Sequence, residues 1–257
     1  MIDLKKRFLV VFMLLVSTVM LGGCSGVDNQ TGFFYNTFVR PFSWGIHEIG
    51  TMLSGNFGLA LIIITLIIRL ILMPFMLKTY KTQQAMKVKM DLIKPEMEDI
   101  QKRTKAAKTP EEQQKIQQEM LALYQKHNIN PLNMGCLPVI IQMPILMGLY
   151  FAIRSSKDIA SHSFLWFNLG QPDLWMTILA GLVYLAQAQI SLATVPDAQK
   201  AQMRLFSYLS PIMIVFISFR APAALPLYWA VGGIFLMIQT IIGRKYYQQH
   251  PEKAEEK

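Results

Sequence analysis

The sequence is short of acid, and none of that acid falls in its longest apolar runs. Only 16 Asp and Glu stand against 25 Lys and Arg in 257 residues, for a net charge of +9. No carboxylate occurs within residues 59–77, 134–153, 174–192, 205–219 or 225–242. That removes the intramembrane carboxylates expected of an ion-coupled transporter, and no internal repeat suggests the inverted halves of one. Histidine is equally scarce. His127, His162 and His250 lie outside the apolar runs, and no H-E-x-x-H occurs, so neither a metalloprotease nor another intramembrane enzyme has its machinery here. His47 and Glu48 have no metal-ligand company, and no cofactor is implied. The two cysteines, Cys24 and Cys136, sit in unrelated contexts and form no disulfide framework.

What is abundant is hydrocarbon. Hydrophobic residues make up 53% of the chain and charged ones 16%, too little polar surface for a soluble domain of this length. The basic excess is confined to particular loops, which is how a membrane protein sets its orientation, and not how a sequence-specific nucleic-acid binder is built. The central stretch is LALIIITLIIRLILMPFML, residues 59–77, about as long as a bilayer core is thick. Arg69 lies inside it. A guanidinium near mid-membrane costs roughly 3 kcal/mol on insertion scales, so it must reach water, a partner or the interface. Lys78 and Lys81 mark the wet end of the run, so snorkelling is the plain reading. A functional site is the other.

From the start, Lys5, Lys6 and Arg7 precede the apolar residues 8–21 and then LGGC, the order of an export signal. LGGC resembles the bacterial lipobox, which implies cleavage after residue 23 and an acylated Cys24 on the outer surface. Residues 32–54 mix aromatics with Arg40, His47 and Glu48 and read as an amphipathic helix on the outer interface, entered near Pro41. Residues 78–130 carry eleven Lys and Arg against seven Asp and Glu, which makes this segment cytoplasmic. It predicts an antiparallel helical hairpin. Leu92, Ile93, Met97 and Ile100 line one arm, and Ile116, Met120, Leu123 and Tyr124 the other, which opens on a Thr109–Pro110–Glu112 capping box. Its length and charge predict a mobile arm and not a packed domain. The four later apolar runs complete five mature spans, with a short fourth and a tight turn at 220–224.

Amides accompany the arginine: Gln142 in the second span, Gln187 and Gln189 in the third, Gln239 in the fifth. A wet cavity open to the inner leaflet would account for both the charge and the amides. With no acid in the spans, Arg69 is expected to have no protein counter-ion and so to attract an anionic group.

These residues resemble the YidC/Oxa/Alb membrane protein insertases. The matching stretches are the Arg-bearing span, IKPEMEDIQ at 93–101, NPLNMGCLPVIIQMPILMGLY at 130–150 and PAALPLYW at 222–229. The lipobox and the lack of a large outer domain look like the short Gram-positive form. Ala224 departs from the glycine common before the leucine in the family. The resemblance implies an all-α integral membrane protein: five transmembrane helices around a hydrophilic groove, open to cytoplasm and lipid and closed outside. Arg69, Gln142 and Trp229 match motif positions, and Gln187 or Gln189 is the third-span choice. The organisation expected is a signal peptide over 1–23, an outer segment with the interfacial helix over 24–56, the first span over 57–77, the cytoplasmic hairpin over 78–130, spans two to five over 131–242 and a cytoplasmic tail over 243–257. The expected function is non-enzymatic, an insertase and chaperone in the bacterial cell membrane. Its partners would be nascent membrane proteins and the bilayer, with the general secretion channel and the ribosome as further candidates; a small-molecule transporter is the rival reading.

Cys24→Ala should abolish fatty-acid labelling while leaving membrane integration nearly intact, because several spans anchor far more strongly than acyl chains. Metabolic labelling checks this, and an unlabelled wild-type chain at precursor mass would remove the lipoprotein reading.

Overall fold

A computed structural model describes residues 30–107, 109–129, 136–193, 195 and 197–249. The signal peptide and Cys24 lie outside the described residues, as do 130–135 of the third matching stretch and 250–257 of the tail. The described chain is helical, as expected, apart from one small β-hairpin. It divides into two compact units, residues up to 64 with 142–171, and residues 65–141 with 172 onward.

In the first unit, a turn of helix at Gly32–Phe34 and a π turn at Tyr35–Val39 lead into α1, Arg40–Met52. The widened turn stands just before Pro41, which has no N–H to give to the carbonyl one turn back. The amphipathic reading holds. Val39 and Ile46 are buried, whereas Phe33, Trp44 and Met52 on other faces are exposed. Ser54 and Gly55 take left-handed backbone, with φ of 56° and 87°, and the Gly55 N–H returns to the Gly50 carbonyl at 2.9 Å. This closes α1 and turns the chain sharply into α2, Phe57–Leu92, capped by Asn56 Oδ1 accepting from the Leu59 N–H at 3.0 Å. α1 then lies tightly on the start of α2: a Cβ at Gly45 would meet Ile64 Cδ1 at 2.5 Å, and one at Gly50 would meet the Phe57 ring at 2.3 Å. α5, Cys136–Ser155, contributes Ala152, which packs with Val39 among Phe34, Tyr35, Phe42 and Phe151. Beyond it come α6, Lys157–Ser161, and the hairpin of β1, Ser163–Phe164, and β2, Phe167–Asn168, in antiparallel register with Phe164 opposite Phe167.

In the second unit α2 continues without a break past residue 77, so the span-to-arm boundary there is a change of polarity and not a helix end. It stops at Leu92 because Pro95 cannot donate to the carbonyl of Asp91. α3, Lys94–Ala106, and α4, Pro110–Lys126, follow. Thr109 caps α4 as the sequence predicts, its side-chain oxygen accepting from the Glu112 N–H at 3.3 Å. The arm is not the loose appendage its charge suggests. Met86 and Met90 from the end of α2 join Ile93, Met97, Ile100, Leu123, Tyr124 and Ile129 in one buried cluster, with Ile116 and Met120 against it. Leu92, expected on this face, is exposed instead. Arg103 ties the two arm helices through Glu119. α7, Leu174–Leu192, is capped by Asp173, whose Oδ1 accepts from the Met176 N–H at 2.7 Å, and packs along both α8, Asp197–Ser218, and α9, Ala224–Gln249.

Among the described residues, three helices are long and apolar enough to cross a membrane: Phe57–Leu92, Leu174–Leu192 and Ala224–Tyr246. Ala224 is an ordinary helical residue despite its departure from the family's glycine, and Pro226 sits in the first turn of α9, where no intrahelical N–H is missed.

Two outcomes are expected. Met90→Ala should cost the arm about 2–4 kcal/mol of local stability by opening a cavity in its core, read as lost amide-exchange protection over residues 97–124. At the outer end, His47 Nδ1 lies 2.8 Å from the Asp158 carboxylate, and this hydrogen bond raises the imidazole above its ordinary value. A raised folded pKa makes the tether complete below about pH 6.5 and lost as pH climbs through the higher folded value. Exchange at residues 157–161, corrected for intrinsic rates, should therefore quicken as pH rises from about 6.5 through the higher folded value, and His47→Ala should erase that difference.

Candidate functional site

Arg69 is 8% exposed, on a helix whose residues 57–90 include no carboxylate. Simple snorkelling does not describe this. Two helices of the second unit meet the guanidinium. From α7, the Tyr184 side chain is hydrogen-bonded to Arg69, the hydroxyl oxygen accepting because a guanidinium only donates. From α9, Gly232 offers bare backbone. A Cβ there would lie 2.8 Å from Nη2 and 3.3 Å from Nε of Arg69, so the fork occupies the space a side chain would fill. The next residue, Gly233, does the same for the tyrosine: a Cβ would meet Tyr184 Cε2 at 3.1 Å and Val183 Cγ1 at 2.7 Å. Arginine and tyrosine thus lie side by side over two adjacent glycines. Sequence reasoning expected no protein counter-ion for Arg69, and Tyr184 is a neutral acceptor. That reasoning looked to the glutamine amides and missed the tyrosine that supplies an acceptor.

The same pairing of helices recurs three turns further on. Tyr80 follows Arg69 by eleven residues, and a Cβ at Gly243, eleven residues after Gly232, would lie 2.9 Å from the Tyr80 ring. The Thr240 hydroxyl spends its proton on the Leu236 carbonyl at 2.7 Å, so at 2.6 Å it accepts from the Tyr80 hydroxyl. Between these two contacts on α9 stands Gln239, 2% exposed, whose Nε2 finds no acceptor among the described residues.

The remaining expected residues fall as follows. Trp229 is buried one turn before Gly232, beside the buried Tyr228. Gln187 is half-buried one turn after Tyr184, its Nε2 donating to Ser191 Oγ at 2.9 Å. Gln189 is exposed and projects from another side of α7. Gln142 is half-buried on α5 in the first unit. Tyr184, Gly232 and Gly233 were not read from the sequence. The usable signal was a Gly-Gly pair inside an apolar helix, since small residues there permit close approach.

Comparison with known proteins agrees with this architecture. The family described as "60Kd inner membrane protein" matches residues 49–251. Membrane protein insertase YidC 2 of Listeria monocytogenes serotype 4b is 51% identical over 251 residues, covering 96% of this chain and 91% of that protein. Membrane protein insertase YidC of Staphylococcus haemolyticus is 44% identical over 254 residues, covering 96% and 87%. The crystal structure of an active YidC insertase with its first transmembrane domain resolved superposes with a TM-score of 0.57 at 27% identity, covering 84% of this chain and 47% of the other. With most of its length matched by the family and by such relatives, the chain belongs to the 60Kd inner membrane protein family, as its Arg-bearing span and proline-rich motifs indicated.

Proposed function

We propose that this protein is an insertase and chaperone for newly made membrane proteins, working without covalent chemistry. Its relatives from Listeria and Staphylococcus carry the insertase name. The observation that carries the mechanism is Arg69: a buried cation hydrogen-bonded to Tyr184, a neutral acceptor. A hydroxyl satisfies a donor of the guanidinium while leaving its charge uncancelled. At an effective dielectric near 20, a carboxylate about 4 Å away gains roughly 4 kcal/mol before desolvation. An acidic client tail entering a hydrated groove would be drawn to this depth, and its apolar segment could then slide into lipid. Met and Leu on the lipid side adapt to many client shapes.

In this reading Arg69, Gln187 and Trp229 belong to the groove in the second unit. Gln187 is preferred to Gln189 because it lies nearer the Tyr184 side of α7. Gln142 is assigned by its motif position alone. Five crossings, with the 78–130 arm and the tail in the cytoplasm and an acylated Cys24 outside, complete the topology. Three of the four tryptophans support it: Trp44, Trp166 and Trp175 are exposed in segments this topology places at the outer interface, where indoles favour the headgroup level. Translating ribosomes and the general secretion channel are the partners proposed beyond the clients.

The test is insertion into proteoliposomes of one client with acidic, neutral or basic tail. Arg69→Lys should keep much of the activity, because a compact cation still supplies the field. Arg69→Gln should lose about tenfold or more for the acidic tail. Arg69→Glu should be worse for that tail and be partly rescued by the basic one. Equal insertion by wild type and Arg69→Gln with all three tails, at matched protein levels, overturns the electrostatic role.

A further inference from the structure

We propose that Gly232 and Tyr184 are positioning residues for Arg69, a backbone floor and an acceptor that hold its guanidinium at depth. This rests on the reading of Arg69 as the group that attracts acidic clients.

An arginine on an apolar helix has a cheaper alternative to burial. Its stem is long enough to carry the charge toward the wet end of the helix, which Lys78 and Lys81 place little more than two turns away. Something must favour the deep position, and α2 to Met90, α7 and α9 contribute no carboxylate to it. Two features supply it. Tyr184 gives the buried fork an acceptor, and its ring is itself fixed against Gly233 and beside Tyr228. Gly232 lets the planar fork lie against the α9 backbone, where a methyl group would come within 2.8 Å of Nη2 and 3.5 Å of Cζ. The atom such a methyl would strike is the free end of a flexible side chain. The helices need not part; the guanidinium moves instead, off the α9 backbone and away from its deep position. The charge would then be kept but its depth lost, so long-range attraction to acid would fall as the separation grows and water screens it.

Neutral-tail insertion reports the general integrity of the protein, and the ratio of acidic-tail to neutral-tail insertion reports the charge at depth. Gly232→Ala should lower that ratio severalfold, to a value between wild type and Arg69→Gln, with neutral-tail insertion nearly unchanged. Tyr184→Phe, which removes one oxygen atom and no volume from the hydrocarbon contacts, should do the same. Gly233→Ala is the packing control. Its methyl meets Val183 and the Tyr184 ring, so it should lower insertion of all tails more evenly. If Arg69→Gln lowers the ratio while Gly232→Ala and Tyr184→Phe leave it at the wild-type value, the positioning role is overturned and the role of Arg69 stands. If Gly232→Ala does not accumulate, Tyr184→Phe alone decides in the same way. If Arg69→Gln itself leaves the ratio unchanged, the electrostatic reading fails, and the positioning role falls with it.

Discussion

A guanidinium inside an apolar helix must be given hydrogen-bond acceptors without being given water on every side. This chain meets that constraint at Arg69 with a hydroxyl and a stretch of bare backbone, and the choice has consequences. A buried salt bridge would cancel the charge and would itself stand on a fine balance between desolvation and attraction. A tyrosine hydroxyl stabilises the fork and leaves the positive field in place. The glycine opposite it lowers the steric cost of the arrangement, so that α2 and α9 can come together with a charged group between them. Tyr80 over Gly243 repeats the device with a neutral ring, anchored through Thr240. A polar group on one helix is thus answered by a missing side chain on the other.

The two kinds of environment along the chain are packed by different physics. Where lipid is the solvent, burying hydrocarbon between helices gains little, because the tails outside are as apolar as leucine, and close approach has to do more. The contacts of α1 with the first turns of α2 are of this sort: Gly45 and Gly50 admit Ile64 and Phe57 to within distances no side chain would allow. The arm helices are rich in charge, and there the ordinary hydrophobic effect builds a core. Met86, Met90, Ile93, Met97 and Ile100 meet Leu123 and Tyr124 in a cluster a small soluble domain could own. The arm is therefore a body with its own stability, carried on a helix that runs continuously out of the span.

Much of this was legible in the sequence, and the parts that were not share a cause. Apolar runs, the Thr109 cap and Arg69 announce themselves because each is a local departure from a uniform background. The arm's core was underestimated because its charge run dominated the reading, and because Met86 and Met90, spaced among lysines, were not counted among its apolar positions. Leu92 was misplaced by one step around the helix that Pro95 ends. Tyr184 and Gly232 were missed for a different reason. The tyrosine is unremarked in its own helix, the Gly-Gly pair signals only a close approach, and the meeting of three helices makes one an acceptor and the other a floor. A buried charge advertises its need for partners, but a single sequence does not say which helix supplies them.

The register of the two glycine contacts also carries topology. Arg69 meets Gly232 and Tyr80 meets Gly243, so position increases along both helices together, and α2 and α9 run in the same direction. Eleven residues are close to three full turns, a rise of about 16 Å, which keeps both contacts on one face of each helix. Two parallel spans need an odd number of crossings between them. α7 to α8 and α8 to α9 are joined by connections of only a few residues, which favour antiparallel neighbours, and those two helices alone would make an even count. The parallel run of α2 and α9 therefore asks for one further reversal of direction before α7, a requirement read from two side chains lying over two glycines and independent of hydropathy and of the distribution of positive charge.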